Sequence, residues 1–545
     1  MASSPPTYSV WIVPLAALAP LVAITLAQLP AGPCFDDSGD LQTAAATLGI
    51  GHPPGYPLYV LAGHLATRVL PVEPAFAVTL SAWFAGLTAL LLTARLAARA
   101  AGPWLGAGAA LLLSVHPSVR ESLLAPEIYA PTLALLLGAA ALLLAWRDDA
   151  QPGRLLLAIL LAATAASSRP PVILMLPGLL LAAWRAYHGS PRKAPLRRRR
   201  IATLAVLALG CAALPFGLSF AYVLARDIPV QSPEHPVADK TPAHPAASDR
   251  SNPTSGEVSR ELPVFPEKQG SPPQPYNYIE AVSRATGWPP VHDQRLATRL
   301  RRAWWLLSGE QFRVGVTRTG AQLAARFAVM RDRLMPGRVG PLWAVAALVG
   351  LVLVARRDHA LGWTLAGLIA GNLAFLLLYD ARGAAADALP ALAAGAIGLA
   401  AAAHALLQFL SNHRRRLAAI VAASIAAAPA WFVHTRRPDF MHDIDASTFL
   451  HRLEFATLAP GTVIFATWRE CTPLGYEQLV RARRTDVRIL NVAPEAWPAE
   501  LERLLSSRAD QRGAAPPILL VRDIAPPPGF VLVEQRGVFE LRPRP

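Results

Sequence analysis

Residues 34–59 read CFDDSGDLQTAAATLGIGHPPGYPLY, a polar and acidic segment that follows the first apolar window, WIVPLAALAPLVAITLAQL, at residues 11–29. This window is long enough to cross the roughly 30 Å hydrocarbon core of a bilayer as a helix. Asp36, Asp37 and Asp40 therefore lie near the expected membrane edge, where a charge is costly unless it is solvated, paired or used. We expect a membrane protein whose first outer loop carries a functional site.

The composition indicates an integral membrane protein. Of 545 residues, 53% are hydrophobic and only 16% are charged, compared with roughly 25% charged residues in soluble domains. The 51 Lys and Arg residues outnumber the 36 Asp and Glu residues, for a net charge of +15. In a soluble protein this excess would suggest nucleic acid, but in a membrane protein the basic residues are placed by topology. We find no RNA- or DNA-binding motif and expect no nucleic-acid partner.

The cysteines and the common catalytic motifs exclude several classes of site. Cys34, Cys211 and Cys471 have neither CxxC spacing nor a neighbouring His cluster, so we expect no zinc or iron–sulfur site. Cys34 and Cys471 could pair as a disulfide in an oxidising compartment or remain thiols. No GxGxxG, Walker, HExxH or GxSxG motif occurs in a context that would confirm it. A lipid-linked substrate therefore fits the chain better than a soluble nucleotide sugar.

Eleven apolar windows predict a polytopic α-helical membrane protein with about 11 transmembrane helices. They are Trp11–Leu29, Ala75–Ala97, Trp104–Val115, Tyr129–Trp146, Leu155–Ser167, Val172–Trp184, Ile201–Leu224, Pro341–Ala355, Leu361–Leu378, Leu389–Leu410 and Leu417–Val433. The first window could instead be a cleaved signal peptide. Against that reading, Met1–Val10 has no basic residue and no clean small-x-small cleavage site follows.

Basic residues in the short loops predict the orientation, because cytoplasmic loops collect Lys and Arg. With the N-terminus inside, the inner loops hold Arg95, Arg99, Arg147, Arg154, Arg185, Arg192, Lys193, Arg197 to Arg200, Arg356, Arg357 and Arg414 to Arg416. The outer short loops hold Arg68, Arg120, Arg169 and Arg382. This asymmetry places the acidic loop and the tail after residue 434 outside. Heavy use of Ala, Arg and Pro suggests a GC-rich bacterial genome, so we expect the bacterial inner membrane, a cytoplasmic N-terminus and a periplasmic C-terminal domain.

The pattern divides the chain into four regions. Residues 1–226 form a membrane core with the first outer loop at 30–74, and residues 227–340 form a periplasmic segment. Residues 341–434 form the last membrane helices, and residues 435–545 form a small periplasmic α/β domain. Within the periplasmic segment, 229–275 is rich in Pro, Ser, His and charge and reads as a disordered insertion before amphipathic helices. The tail alternates β-branched strands with amphipathic helices, which is typical of an α/β domain.

The first outer loop is the strongest candidate site. Asp36, Asp37 and Asp40 precede a short amphipathic pattern from Leu41, and an acid at the start of a helix is held charged by the helix dipole. Such a carboxylate could act as a base. In the HPPGYP turn, His52 and Tyr56 could contact a polar headgroup. The alternative is structural: Asp40 caps the helix and the prolines only turn the chain.

Three further groups face outward. Glu127 and Tyr129 open the fourth window, where they could bind substrate or act as a helix-start acid and an interface residue. Arg169 follows the fifth window and could bind phosphate bidentately or extend to lipid phosphate. Asp380 and Arg382, between the ninth and tenth windows, could bind substrate or pair with each other.

Four motifs in order resemble one family. They are DSGDLQTAAATLGIGHPPGYPLYVLAGHL at 37–65, PEIYAPTLALLLGAAALLLAWR at 126–147, WWLLSGEQFR at 304–313 and LAPGTVIFATWRECTPLGYEQLVRARRTDVRIL at 458–490. The chain resembles the protein O-mannosyltransferase-like membrane proteins, a mostly bacterial, multi-span group similar to GT-C glycosyltransferases. The resemblance implies a GT-C-like fold, a polyprenyl-phosphate sugar donor and a catalytic base in the first outer loop. Asp37 matches that base, and Asp40 stands where the family usually has glutamate.

These observations predict an inverting membrane glycosyltransferase with Asp37 as general base. It would move a sugar from a polyprenyl-phosphate carrier to a hydroxyl on a protein, lipid or glycan acceptor at the periplasmic face. Mannose is suggested as the sugar only by the family name. The rival hypotheses are a polyprenyl-lipid flippase or transporter and a non-catalytic envelope scaffold. Charge gathered at the outer rim rather than at the bilayer midplane favours the enzyme over the transporter.

The supporting roles are assigned by charge. Arg169, Arg382 and His52 would stabilise the departing phosphate, whereas Asp40 and Glu127 would orient the acceptor or hold a metal. The sequence does not require a cofactor. An ion held by Asp37, Asp40 and Glu127 would be Mg²⁺ or Mn²⁺, because these cations prefer oxygen ligands.

Overall fold

The computed structural model describes residues 9–189, 198–227, 277–278, 293–310, 315–317, 319–334, 340–379, 385–408, 410, 412–435, 438–508 and 516–544. The chain divides into two compact units. The helical unit comprises residues 1–31, 56–222 and 305–443, and the α/β unit comprises residues 32–55, 223–304 and 444–545. The sequence-based boundaries differ, because they assign residues 30–74 to the membrane core. The predicted insertion at 229–275 lies outside the described residues.

The helices follow one another in this order: α1 (Ser9–Leu26), α2 (Asp36–Thr47), α3 (Pro57–Val69), α4 (Pro74–Ala101), α5 (Pro103–Val115), α6 (Pro117–Leu124), α7 (Tyr129–Asp149), α8 (Pro152–Ser168), α9 (Leu176–Gly189), α10 (Arg198–Arg226), α11 (Leu296–Ser308), α12 (Gly320–Leu334), α13 (Gly340–Arg357), α14 (His359–Leu378), α15 (Leu389–Leu407), α16 (Asn412–Thr435), α17 (Met441–Ile444) and α18 (Ser447–Leu453). Turns of 3₁₀ helix precede α9 at Pro170–Met175 and α15 at Ala385–Ala388.

Each of the eleven predicted windows overlaps helix in the structure, and the windows that begin at Trp11 and Leu389 end three residues beyond their helices. Among the described residues, six helices are long and apolar enough to cross a membrane: Pro74–Ala101, Tyr129–Asp149, Pro170–His188, Ala202–Arg226, His359–Leu378 and Leu389–Leu407. Three shorter apolar helices are Trp11–Leu26, Pro103–Val115 and Pro152–Ser168. The protein is therefore a mostly helical, multi-pass membrane protein. The full count of 11 spans stays a prediction.

Small residues allow close crossings inside the helical unit. A Cβ built on Gly350 of α13 would lie 1.7 Å from the carbonyl oxygen of Gly398 in α15. A Cβ on Gly178 of α9 would lie 2.3 Å from Cα of Gly367 in α14. Backbones can approach this closely only where no side chain intervenes, which is how packing holds helices together in lipid.

The C-terminal segment folds as strands that alternate with helices, as its pattern predicts. Its elements are β1 (Val463–Ala466), α19 (Trp468–Leu479), β2 (Arg488–Asn491), α20 (Trp497–Arg508), β3 (Ile518–Leu520), β4 (Phe530–Gln535) and β5 (Val538–Pro543). The sheet order is β2-β1-β3-β5-β4, with β1 parallel to both β2 and β3. The hairpin of β4 and β5 adds antiparallel strands at the other edge. Apolar clusters cover the sheet, including one around the fully buried Trp497.

Residues 32–55 of the first outer loop pack against this C-terminal segment within the α/β unit. The backbone N–H of Phe35 donates to the carbonyl of Ile444 at 2.8 Å, and Cys34 pairs with Asp445 in an isolated antiparallel bridge. Helix α2 then packs on α19. Gly39 lies at this contact: a Cβ there would meet the backbone oxygen of Cys34, just before α2, at 2.1 Å and Oγ1 of Thr472, in α19, at 2.8 Å.

The substitution Gly39→Ala is expected to destabilise the α/β unit, because the added methyl group collides with backbone that cannot move cheaply. Overpacking of this kind typically costs about 1–3 kcal/mol. Thermal unfolding of the purified protein in detergent measures the effect. Gly395→Ala in α15 is the control: its Cβ meets nothing within 4 Å, and alanine is the better helix former. Equal melting temperatures for the two variants would contradict the proposed crossing.

Candidate functional site

Two of the three acids of the first loop are accessible and the third is enclosed. Helix α2 begins at Asp36, earlier than the predicted start at Leu41, so Asp40 lies inside the helix. The side chains of Asp36 and Asp37 are 50% and 48% exposed, whereas that of Asp40 is 0% exposed. Phe35, not Asp40, occupies the N-cap position. The prediction that Asp40 caps the helix, one part of the structural alternative, is therefore wrong.

Asp40 is held by His52, twelve residues further along the chain. Its Oδ2 atom accepts the backbone N–H of His52 at 2.9 Å and lies 2.7 Å from Nδ1 of the same residue. The turn after His52 closes with the N–H of Gly55 donating to the His52 carbonyl at 2.7 Å. A Cβ on Gly51 would lie 3.0 Å from Asp40 Oδ2, so there is little room for a side chain there. The loop is thus folded around one buried carboxylate.

Asp37 faces the other side of the His52 ring. Nε2 of His52 lies 3.5 Å from Oδ2 of Asp37, and Nε1–H of Trp468 donates to Oδ1 at 3.0 Å. The Trp468 ring contacts His52 edge-on, with centroids 6.3 Å apart, and contacts Tyr278 in the same manner at 5.9 Å. The backbone of Tyr278 is fixed because its N–H donates to Ile50 at 3.0 Å. Asp37 is therefore oriented by both neighbours while half of its surface stays accessible.

The position of Trp468 in the α/β unit is typical of a ligand site. Trp468 opens α19 directly after β1, at the carboxyl end of the central parallel strand. Strands β2 and β3 lie on opposite sides of β1, so the order in which strands are added to the sheet reverses at this point. Open α/β sheets bind ligands at such switch points. Arg469 follows, 3.6 Å from the Asp36 carboxylate and over the Phe35 ring. The charge of Asp36 is thereby partly neutralised, whereas Asp37 is not paired with an arginine among the described residues.

The hydrogen bonds define where protons can reside. An ionised Asp40 accepts both of its bonds from His52, which assigns a proton to Nδ1 of the imidazole and leaves Nε2 facing Asp37. The second oxygen of Asp40, Oδ1, has no hydrogen-bond partner among the described residues. The trio can therefore accept a proton at Asp37 and can place charge on the imidazole, which are the elements of general acid–base chemistry.

Arg169 belongs to the helical unit and is buried. Its guanidinium pairs with the carboxylate of Asp387, whose side chain is 2% exposed. The rings of Tyr129 and Phe375 lie 4.6 and 5.7 Å from its Cζ atom. Asn372 fixes the 3₁₀ turn of Asp387 by donating to its carbonyl. Arg169 does not extend to lipid phosphate as predicted, because its charge is buried and is balanced by Asp387.

The remaining predicted residues are placed as follows. Helix α7 begins at Tyr129, two residues after Glu127, as the pattern predicts. Tyr56 precedes α3 at its N-cap position with φ +46° and also belongs to the helical unit. Asp380 and Arg382 lie outside the described residues. The structure thus brings together Asp36, Asp37, Asp40 and His52 in the α/β unit, and Tyr129 with Arg169 in the helical unit.

The described residues contain no group of three or more His, Cys, Asp or Glu side chains arranged to hold a metal ion. Asp40 is a poor candidate ligand because its carboxylate is enclosed and His52 occupies Oδ2. No disulfide joins Cys34 and Cys471, which are both buried thiols. Burial raises the pKa of the Cys471 thiol, and the nearby charge of Glu470 raises it further.

Sequence reasoning missed Trp468, Tyr278 and Asp387. Trp468 had a usable signal, because it follows a β-branched strand and opens a helix with Thr467 and Glu470 in a capping box. Such a residue lies at the carboxyl end of a strand, where ligands bind in α/β folds. Asp387 had a weaker signal as the acid nearest the start of α15. Tyr278 had none that distinguished it.

Residues 37–190 match the family model of the protein O-mannosyl-transferase TMEM260 N-terminal domain. The predicted family resemblance is confirmed for this segment. Protein O-mannosyl-transferase TMEM260 of Mus musculus is 42% identical over 57 residues, which are 10% of this chain and 8% of the mouse protein. The chain therefore matches only a small part of that relative's length.

Two solved structures are similar over most of the chain. The crystal structure of ArnT from Cupriavidus metallidurans bound to undecaprenyl phosphate superposes with a TM-score of 0.54 at 10% identity, covering 97% of each chain. It shows that the chain shares the ArnT fold, as the GT-C resemblance predicts. The Archaeoglobus fulgidus oligosaccharyltransferase in complex with Zn and sulfate has a TM-score of 0.49 at 13% identity, covering 94% of this chain and 67% of that one.

The substitution Asp387→Asn is expected to destabilise the helical unit strongly, because it leaves the Arg169 guanidinium buried without a counter-charge. Removing one partner of a buried ion pair typically costs about 3–5 kcal/mol. Thermal unfolding in detergent measures the loss. Asp149→Asn is the control: its pair with Arg154 is partly exposed, so the expected cost is about 0–1 kcal/mol. A melting temperature for Asp387→Asn as high as that of the control would refute the ion pair.

Proposed function

We propose that the protein is an inverting membrane glycosyltransferase that transfers a sugar from a polyprenyl-phosphate carrier to an acceptor hydroxyl, with Asp37 as general base. One observation carries the proposal: the half-exposed Asp37 carboxylate is oriented by Trp468 and His52 in the first outer loop. The match of residues 37–190 to an O-mannosyl-transferase domain supports the reaction class. The shared fold with ArnT, solved with undecaprenyl phosphate, supports the carrier.

The proposed reaction is a single displacement. The acceptor oxygen attacks the anomeric carbon while Asp37 takes the hydroxyl proton. A new C–O bond forms, the bond from the anomeric carbon to the phosphate oxygen breaks, and its electron pair leaves with the polyprenyl phosphate. Attack opposite the leaving group inverts the anomeric centre. General-base assistance of this kind is typically worth about 10²- to 10⁴-fold, and no step passes through a metal ion.

Half exposure of the carboxylate suits this role. A fully solvated Asp37 would have no fixed direction, and an enclosed one could not reach an acceptor. Trp468 fixes Oδ1 through a neutral donor, which orients the carboxylate without supplying a cation that would make it a weaker base. Asp36 lacks this environment, because Arg469 lies 3.6 Å from its carboxylate. Asp37 is therefore the better candidate base, because a neutral donor orients its carboxylate, whereas a cation lies beside the carboxylate of Asp36.

Substrate contacts beyond Asp37 are proposed from charge and position. Tyr56, Glu127, Tyr129, Asp380 and Arg382 are proposed contacts of the donor or acceptor. Arg169 is a weaker candidate for direct phosphate binding, because Asp387 already balances its charge. Mannose is proposed as the sugar on the name of the mouse relative. The acceptor is a hydroxyl on a protein, lipid or glycan.

The decisive comparison is Asp37→Asn against Asp36→Asn, which removes the neighbouring charge at equal size and similar exposure. Mass spectrometry of envelope glycans from a deletion strain identifies the product, and the purified variants are then assayed in detergent. We expect Asp37→Asn to lower product formation at least about 100-fold and Asp36→Asn to retain most activity. Full activity of Asp37→Asn would exclude the proposed base. A flippase would give no product in detergent, and a scaffold would keep its function without Asp37.

The proposed orientation places the first outer loop and the α/β unit in the bacterial periplasm. In a background without the native cysteines, Val72→Cys lies in the predicted outer loop and Gln151→Cys in a predicted inner loop. A membrane-impermeant maleimide added to spheroplasts should label the first and reach the second only after lysis. Labelling with the opposite preference would overturn both the orientation and the periplasmic reaction.

A further inference from the structure

We propose that His52 and Asp40 form a proton relay behind Asp37, with His52 as the group that receives the proton from the base. The inference rests on the proposed function and assigns a role to the two buried residues of the same site. His52 and Asp40 do not touch the reacting atoms in this account and act through Asp37 as positioning residues.

The first argument is the order of the three groups. Asp40 Oδ2 lies 2.7 Å from Nδ1 of His52, and Nε2 on the opposite side of the ring lies 3.5 Å from Asp37 Oδ2. Exposure falls along this line, from 48% for the Asp37 side chain through 11% for His52 to 0% for Asp40. An accessible carboxylate is thus connected through an imidazole to an enclosed one, which is the arrangement of a carboxylate–histidine relay.

The second argument is the position of the protons. When Asp40 is ionised it accepts Nδ1–H, so Nε2 of the neutral ring carries a lone pair that faces the Asp37 oxygen. Two lone pairs facing each other repel, and one proton between them removes the repulsion. Once Asp37 has taken the acceptor's proton, its O–H can donate to Nε2 or pass the proton to it. The imidazolium that results lies between two carboxylates, and the proton later returns through Asp37 to water.

The third argument is the charge around His52. From α2 the groups that face it are Asp37 and Asp40, and from α19 it meets the neutral indole of Trp468. Arg469 on the same helix lies against Asp36 and Phe35. Tyr278, which lies on a third segment of the chain, contacts Trp468. The two carboxylates are therefore placed to stabilise the imidazolium that forms once the proton has been transferred.

A purely structural role makes a different prediction for Asp40→Asn. An asparagine oxygen in place of Oδ2 can still accept the backbone N–H and Nδ1–H of His52, so the turn keeps its hydrogen bonds. The negative charge that stabilises the imidazolium is lost. The relay therefore predicts lower turnover in a folded protein, whereas a turn-forming role predicts unchanged turnover.

The test measures kcat, KM and the pH profile of kcat for Asp40→Asn and His52→Gln in the purified full-length protein. We expect kcat to fall at least about tenfold with KM nearly unchanged. The acid limb of the profile should also change in Asp40→Asn, because the carboxylate that stabilises the imidazolium is gone. His451→Gln, an exposed histidine of α18 in the same unit, is the control and should behave as the wild type.

Three outcomes separate the possibilities. Wild-type kcat and pH profile in both variants would overturn the relay, even if their melting temperatures fall. Loss of activity in Asp37→Asn together with full activity in Asp40→Asn and His52→Gln would leave the proposed function intact and remove only the relay. Full activity in Asp37→Asn would refute the proposed function itself. Asp40→Glu is the rescue variant, and recovery of the acid limb there would support a role for the charge.

Discussion

A carboxylate with no exposed surface needs hydrogen-bond donors, and Asp40 finds both of its donors on His52. Burying an isolated charge is far more costly than burying a paired one, so this contact restricts the first outer loop to conformations in which the turn folds back on α2. The same contact sets the direction of the His52 ring. Nε2 consequently points toward Asp37, and the position of the proposed base depends on a charge that solvent does not reach.

Residues 32–55 and the C-terminal segment form one structural unit although 431 residues separate Asp37 from Trp468. The close crossing of α2 and α19 at Gly39 brings the two together. We expected the tail to be a separate domain. In the structure its helix α19 instead contacts the candidate base directly, through Trp468. The α/β unit is therefore part of the candidate site, and a change in α19 can alter the acid without altering the loop sequence.

Local patterns predicted much of the fold. Apolar windows gave the positions of the helices, and the change to β-branched strands after residue 462 gave the α/β tail. The acids and His52 were also visible because they lie within one short segment. Contacts between residues that are distant in the sequence were not visible, because neither the contact of Trp468 with Asp37 nor that of Arg169 with Asp387 leaves a periodic signal. Arg169 shows the consequence: its position suggested a phosphate ligand, whereas its buried partner gives it a counter-charge within the protein.

The composition of the α/β unit from three separated stretches of chain has a consequence for biosynthesis. Residue 37 leaves the ribosome 431 residues before its indole partner, which at roughly 5–20 residues per second is a delay on the order of twenty to ninety seconds. During that interval Asp37 lacks the hydrogen bond from Trp468. A chain truncated before Trp468 would therefore lack one of the two contacts that orient the candidate base.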